Sequence, residues 1–255
     1  MKKFSSHVLL SAFCMPLLGI RLANAALLVG DTIVADFTNS STGASTTFAA
    51  TGEYWNDYAV TSGTSISGSD VLFADLVRVT DGNSTGVTFS RSSGSGNAGI
   101  GSGTIGQPID NSASFLVTGA IPLTAQQDVI YSNSTITFSF GGLDDSLTYR
   151  VSIQSWTDDS ARNANDWVLN SGLGSEQAIS VDPNNTPSVY TFNVSPTNGS
   201  GGITLTSSGG GGGGNAMHIN AFEVTVIPEP STFALFGIAG CLAFCFGRRR
   251  CDRKE

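Results

Sequence analysis

The chain has 255 residues, with 12 Lys and Arg against 20 Asp and Glu, two His and four Cys. Between residues 26 and 227 the imbalance sharpens: Arg78, Arg91, Arg150 and Arg162 stand against 17 carboxylates with no lysine, a net −13. Phosphate backbones are bound by clustered basic side chains, so this composition excludes nucleic acid as a partner.

The N-terminus reads as a secretory signal peptide. Lys2 and Lys3 form a basic start, residues 8–20 are apolar, and Ala23-Asn24-Ala25 supplies small residues at the cleavage positions Ala23 and Ala25, so the mature chain begins near Ala26. Arg21 is unusual so close to that site. Cys14 follows Phe13 rather than a small residue, and we read it as part of the apolar run rather than as a lipidation site. The domain from 26 to 227 is long enough for one sizeable core. It contains no cysteine, because Cys241, Cys245 and Cys251 all lie beyond it. Although exported, it must be held together by burial rather than by disulfides.

Within this domain, alternation and turn residues dominate. Residues 33–37, 71–79, 87–90, 135–140, 149–156, 166–169, 189–194, 203–206 and 219–226 read as strands. Clusters such as Thr80-Asp81-Gly82-Asn83 and Gly141-Gly142-Leu143-Asp144-Asp145 separate them. Tyr149, Val151 and Ile153 alternate with Arg150, Ser152 and Gln154, the pattern of a strand with one face on a core. Many short strands without intervening helices predict an all-β fold, a two-sheet sandwich or jelly roll. A short helix is expected near 123–129, and the six-glycine run 209–214 is read as a loop.

Catalytic material is sparse. The domain has one histidine, His218, and neither cysteine nor lysine, so Cys nucleophiles, Ser-Lys pairs and zinc sites built on several His or Cys are excluded. A Ser-His-Asp triad would have to use His218, and no Gly-x-Ser-x-Gly elbow accompanies it. The densest polar group is the loop 157–167, with Asp158, Asp159, Arg162, Asn165 and Asp166. Three readings stay open for it. It is solvated turn chemistry, or a Ca²⁺ loop offering Asp158, Asp159 and the Asn165 amide oxygen, or the rim of a sugar site together with Trp156 and Trp167. Sugar rings pack their C–H faces on aromatics and pair their hydroxyls with carboxylates, amides and guanidinium groups. On that chemistry Trp55 beside Asn56 is a second candidate, read as an exposed platform, whereas Trp167 beside Val168 and Leu169 reads as core.

The tail, 228–255, opens with Pro228-Glu229-Pro230, where missing N–H donors end the preceding strand. Residues 231–247 carry no charge and would make about 25 Å of helix at ~1.5 Å per residue, short for a bilayer but sufficient with local thinning. Arg248, Arg249 and Arg250 follow directly and orient such a transmembrane helix with the C-terminus cytoplasmic.

Pro-Glu-Pro, a short hydrophobic helix and a terminal arginine cluster, in that order, resemble the PEP-CTERM sorting signal of Gram-negative bacteria. The resemblance implies recognition and processing by a membrane-embedded exosortase. It also implies an inner-membrane intermediate and a final location in the cell envelope or outside the cell. Asp36-Phe37, Tyr54-Trp55-Asn56, Gly142-Leu143, Tyr149-x-Val151-x-Ile153 and the closing 219–224 segment resemble galactose-binding-like jelly rolls of exported bacterial proteins. That second resemblance implies polysaccharide as a class of partner. The sequence therefore reads as three parts: signal peptide 1–25, β-sandwich 26–227 and sorting tail 228–255. The expected protein is a non-enzymatic envelope or matrix component that needs no cofactor beyond the candidate Ca²⁺. The alternative is a carbohydrate-active hydrolase using carboxylates of the 157–167 loop.

Overall fold

The computed structural model describes residues 27–38, 43–48, 52–59, 65–66, 69–93, 98–102, 114–121, 125, 128–132, 135–155, 165–170, 173–181, 188–196, 199, 201–208 and 217–228. The signal peptide and the tail beyond Pro228 lie outside them. Among the described residues no helix is long and apolar enough to cross a membrane.

The strands run β1 (Thr32–Thr38), β2 (Gly43–Phe48), β3 (Tyr54–Ala59), β4 (Ser65–Ile66), β5 (Ser69–Phe73) and β6 (Thr88–Ser93). They continue with β7 (Ala98–Ser102), β8 (Ser114–Phe115), β9 (Gly119–Ala120), β10 (Asp128–Ser132), β11 (Thr135–Gly141) and β12 (Thr148–Ser155). The last are β13 (Asn165–Leu169), β14 (Gln177–Val181), β15 (Ser188–Val194), β16 (Ile203–Ser208), β17 (Met217–Ile219) and β18 (Ala221–Ile227). Two six-stranded sheets form the expected sandwich, one in the order β15-β12-β18-β1-β3-β2 and the other β14-β13-β16-β11-β6-β5. A four-stranded sheet, β17-β10-β7-β4, and the small hairpin β8-β9 complete it.

Alternation decides what is buried. Ile136, Phe138 and Phe140 of β11 face Phe89 of β6 and, across the sandwich, Phe37 of β1 and Phe222 of β18. Phe222 touches all of these rings, with centroids 6.0 Å from Phe37, 5.4 Å from Phe89, 5.3 Å from Phe138 and 5.9 Å from Phe140. Edge-on packing around one ring places its positive rim against neighbouring faces, which adds to the area each ring buries. Trp167 is fully buried and stacks on Phe138 at 6.3 Å, as its sequence neighbours suggested.

Three expected elements differ. The run 71–79 is not one strand: β5 ends at Phe73, and the chain turns because the Asp75 carboxylate accepts from Ser84 Oγ and from the backbone N–H groups of Thr85 (3.1 Å) and Gly86 (2.8 Å). The closing strand 219–226 is broken at Asn220, leaving β17 in the four-stranded sheet and β18 in the first. Of the short helix expected at 123–129, Ala125 is helical, β10 takes Asp128 and Val129, and residues 122–124, 126 and 127 lie outside the described set.

The register gives the sandwich two distinct poles. Thr148 pairs with Ile227, Tyr149 with Val194, and Thr32 with Thr225, so the starts of β1 and β12 and the ends of β15 and β18 share one pole. Leu143 N–H bonds to Gly201 O at 2.8 Å there, joining the loops that connect the two sheets. Ser155 pairs with Ser188, Thr135 with Ser208, and Asn165 with Val181, so these ends stand at the opposite pole.

Because Phe222 joins the rings of both sheets, Phe222→Ala is expected to lower stability by about 3–5 kcal/mol, measured by urea unfolding. Gly142→Ala should also destabilise, since Gly142 has φ +78° and a Cβ would sit 2.5 Å from Gly86 O.

Candidate functional site

Three places bear on function: the outer face of the first sheet, the pole where the chain leaves the domain, and the pole opposite it. The outer face is not open to solvent. Val34, Trp55, Val79, Phe115, Ile121, Ala125 and Ala221 form a second apolar cluster on it, with Val189 at its edge. Trp55 is 3 % exposed, packs against Phe115 at 6.5 Å, and donates its indole N–H to Glu53 at 3.4 Å. The expectation of an exposed Trp55 platform is therefore corrected: the β8-β9 hairpin covers the ring. Asn56 is also buried, on the other face of β3, where its amide donates to Val34 O (2.8 Å) and Val77 O (3.1 Å) and accepts from Val77 N–H (2.8 Å). Its work is to fix the 74–86 segment to the sheet.

Glu223 holds the hairpin. It is fully buried on the outward side of β18, and one carboxylate oxygen accepts from Thr118 N–H (2.9 Å) and Thr118 Oγ1 (2.8 Å). The other oxygen has no hydrogen-bond partner among the described residues. Burial pushes the Glu223 carboxyl above the usual carboxylate range, against the Thr118 hydrogen bonds and the charge of Arg150, which act the other way. In the neighbouring row lie Gln154, Ala221, Asp36 and Asp57, in register across β12, β18, β1 and β3. Gln154 is fully buried, and its amide has no partner among the described residues. Sequence pattern alone missed this polar face, because buried Gln and Glu look like the solvent side of a strand.

At the exit pole, β18 runs to Ile227 and Pro228 follows at once. Here Arg78 bridges Asp31 at 3.2 Å and Asp81 at 2.8 Å, while Asp145 accepts from Gly201 N–H at 3.0 Å. The opposite pole carries the strand ends that flank residues 156–164, 182–187 and 209–216. Trp156, Asp158, Asp159 and Arg162 lie in the first of these stretches, outside the described residues, and Asn165 opens β13. The structure thus places Asn165 and the attachment points of the other four, Ser155 and Asn165, at the pole remote from Pro228, whereas Trp55 lies on the outer face of the first sheet. His218 is 6 % exposed on β17, in register with Tyr131, and its carbonyl accepts from Ser155 Oγ at 2.7 Å. Among the described residues no three His, Cys, Asp or Glu side chains are grouped to hold a metal ion.

Comparison with known proteins identifies the exit pole. Residues 226–253 match the PEP-CTERM protein-sorting motif. The motif begins at Val226, inside β18, so the sorting signal and the fold overlap by two residues. Arg248, Arg249 and Arg250 fall within the match, as do Pro228, Glu229 and Pro230. No curated protein matches the chain. Among solved structures, the ANXUR2 extracellular domain of Arabidopsis thaliana is similar at a TM-score of 0.44 and 12 % identity, over 78 % of this chain and 49 % of that one. The ANX2 ectodomain from the same plant gives 0.46 and 11 %, over 81 % and 54 %. TmCBM61, solved in complex with β-1,4-galactotriose, gives 0.33 and 12 %, over 54 % and 88 %. The chain thus spans about half the length of the two plant ectodomains.

A carboxyl whose pKa is raised by folding stabilises fully below its unfolded value, and that stability is lost as pH rises through the folded value. Glu223 therefore weakens the domain as pH climbs from about 4 toward neutrality. Glu223→Gln keeps an acceptor for Thr118 and removes the titration, so thermal melts of this variant should fall less steeply with pH than those of the parent. Identical slopes would show that Glu223 titrates as it does in the unfolded chain.

Proposed function

We propose that this is an exported cell-envelope or extracellular-matrix protein, sorted by an exosortase through its PEP-CTERM motif. Its sandwich contacts polysaccharide through the pole facing away from the membrane and has no catalytic role. The signal peptide read at 1–25 supports export, and the motif supports processing at the membrane on the way to the surface. The observation that carries the reading is the polarity of β18 and its neighbours. The sorting signal leaves one pole without a linker, and the strand ends flanking 156–164, 182–187 and 209–216 stand at the other.

That polarity keeps the strand ends of the opposite pole clear of the bilayer while the tail is embedded and away from the C-terminus after processing. Trp156, Asp158, Asp159, Arg162 and Asn165 supply the aromatic face and charged or amide groups that sugar hydroxyls pair with. Asp158 and Asp159 are also the carboxylates a Ca²⁺ ion would take, with further oxygens from the same stretch. The 26–227 domain carries a net charge of −13, which suits neutral polymers better than anionic ones.

Two experiments test the two halves. In an exosortase-bearing Gram-negative host, replacing Pro228, Glu229 and Pro230 by alanine should leave the protein in the inner-membrane fraction, while the parent is found outside it. Equal fractionation of the two would make the tail an ordinary anchor. On a polysaccharide array, the secreted domain should bind at least one neutral glycan, and Trp156→Ala should abolish that signal with unfolding unchanged. Indifference to every glycan would remove the sugar half, and release of reducing sugar would replace binding by hydrolysis.

A further inference from the structure

The exit pole carries an apolar feature that the fold does not use. Leu28 and Val29 are 65 % and 54 % exposed, whereas Leu27 beside them is 4 % exposed and belongs to the main core. The three residues open a tight turn, 28–31, closed by the Asp31 N–H bond to Leu28 O at 2.8 Å, with Gly30 at φ +93°. That geometry demands Gly at its third position and places no demand for aliphatic side chains on the first two. Solvent-facing turns ordinarily take polar residues there.

The turn is fastened to the end of β18. Gly30 N–H donates to Val226 O at 2.9 Å, and Val226 N–H donates to Asp31 O at 3.0 Å. From Ile227 to Ser231, where the uncharged stretch 231–247 begins, there are only four peptide steps, at most about 14 Å even fully extended. On the N-terminal side the apolar run 8–20 ends seven residues before Leu27, so both topogenic segments reach the domain at this pole. The turn's own carboxylate is not a bare charge turned toward lipid, because Asp31 shares Arg78 with Asp81.

We infer that the Leu28–Val29 turn docks into the lipid–water interface of the membrane while the tail is embedded, so that the sandwich stands on the bilayer in a fixed orientation. The occupant is the bilayer itself, because the short connection leaves this pole no other neighbour of comparable area within reach. Two aliphatic side chains at an interface that is partly apolar lose contact with water without having to cross it. The contact is apolar in origin, so raised salt should leave it intact. It lasts as long as the tail does, and processing at the Pro-Glu-Pro releases both together. The inference rests on the sorting reading only in requiring an embedded tail.

The test uses the tail-bearing chain reconstituted into phosphatidylcholine vesicles, made with ordinary or brominated acyl chains. A Leu28→Trp variant should lose emission in the brominated lipid. A Val71→Trp variant, placed at a residue that is 64 % exposed on β5, should not lose it beyond the parent chain. Flotation of the vesicles reports tail insertion separately. Protein that floats with unquenched Leu28→Trp emission overturns the docking and leaves the sorting reading standing. Equal quenching of both variants also overturns it, as general adsorption. Protein that does not float overturns both, since nothing then brings this pole to lipid. If processing in exosortase-bearing cells fails in a Leu28→Ser, Val29→Ser double variant while vesicle quenching is absent, the turn contacts the enzyme rather than the bilayer.

Discussion

Strand β18 is the constraint on which the rest depends. It pairs with β1 on one side and β12 on the other, so none of its backbone is free to peel away as an edge strand would. Its inward residues Phe222, Val224 and Val226 enter the main core, and Phe222 gathers the rings of both sheets. Its outward residue Glu223 ties down the β8-β9 hairpin. At its last residue the sorting motif has already begun. A single seven-residue strand therefore joins the core, the covered outer face and the export signal.

This arrangement has a physical consequence for sorting. A signal at the end of a flexible linker would be handled independently of its cargo, whereas one that emerges from a central strand presents the folded domain together with the cleavage region. The pole from which the motif emerges is tied together by hydrogen bonds of Gly30 and Asp31 to Val226 and of Leu143 and Asp145 to Gly201. The strand ends that flank 156–164 and 209–216 stand at the opposite pole. The separation of the chain's exit from the strand ends flanking 156–164 follows from antiparallel pairing, because β12 and β15 start and finish at opposite poles from one another.

Strands with strict alternation were legible in the sequence. Those at 135–140, 149–156 and 189–194 fall within a residue or two of the observed β11, β12 and β15. Missed elements had weak local signals: β7 is Ala-Gly-Ile-Gly-Ser, two-fifths glycine, and gains its strand form from pairing with β10. In β3, Asn56 and Asp57 look like turn residues, yet Asn56 spends its amide on the backbone of Val34 and Val77 inside the fold. Trp55 was misread as exposed because nothing local reveals that a hairpin 60 residues later in the chain folds over it. The sorting tail was legible for the opposite reason. Its parts are contiguous, and each acts through composition rather than tertiary contact. Which loops share a pole became visible only through strand register.

The claim that β18 is the boundary between cargo and signal is tested most directly by the intact mass of the processed protein from an exosortase-bearing host. The account predicts a folded species whose C-terminus lies at Pro228 or beyond, with β18 complete. A stably folded mature form ending within residues 221–227 would contradict it, because a sandwich that survives loss of part of its central strand does not depend on that strand.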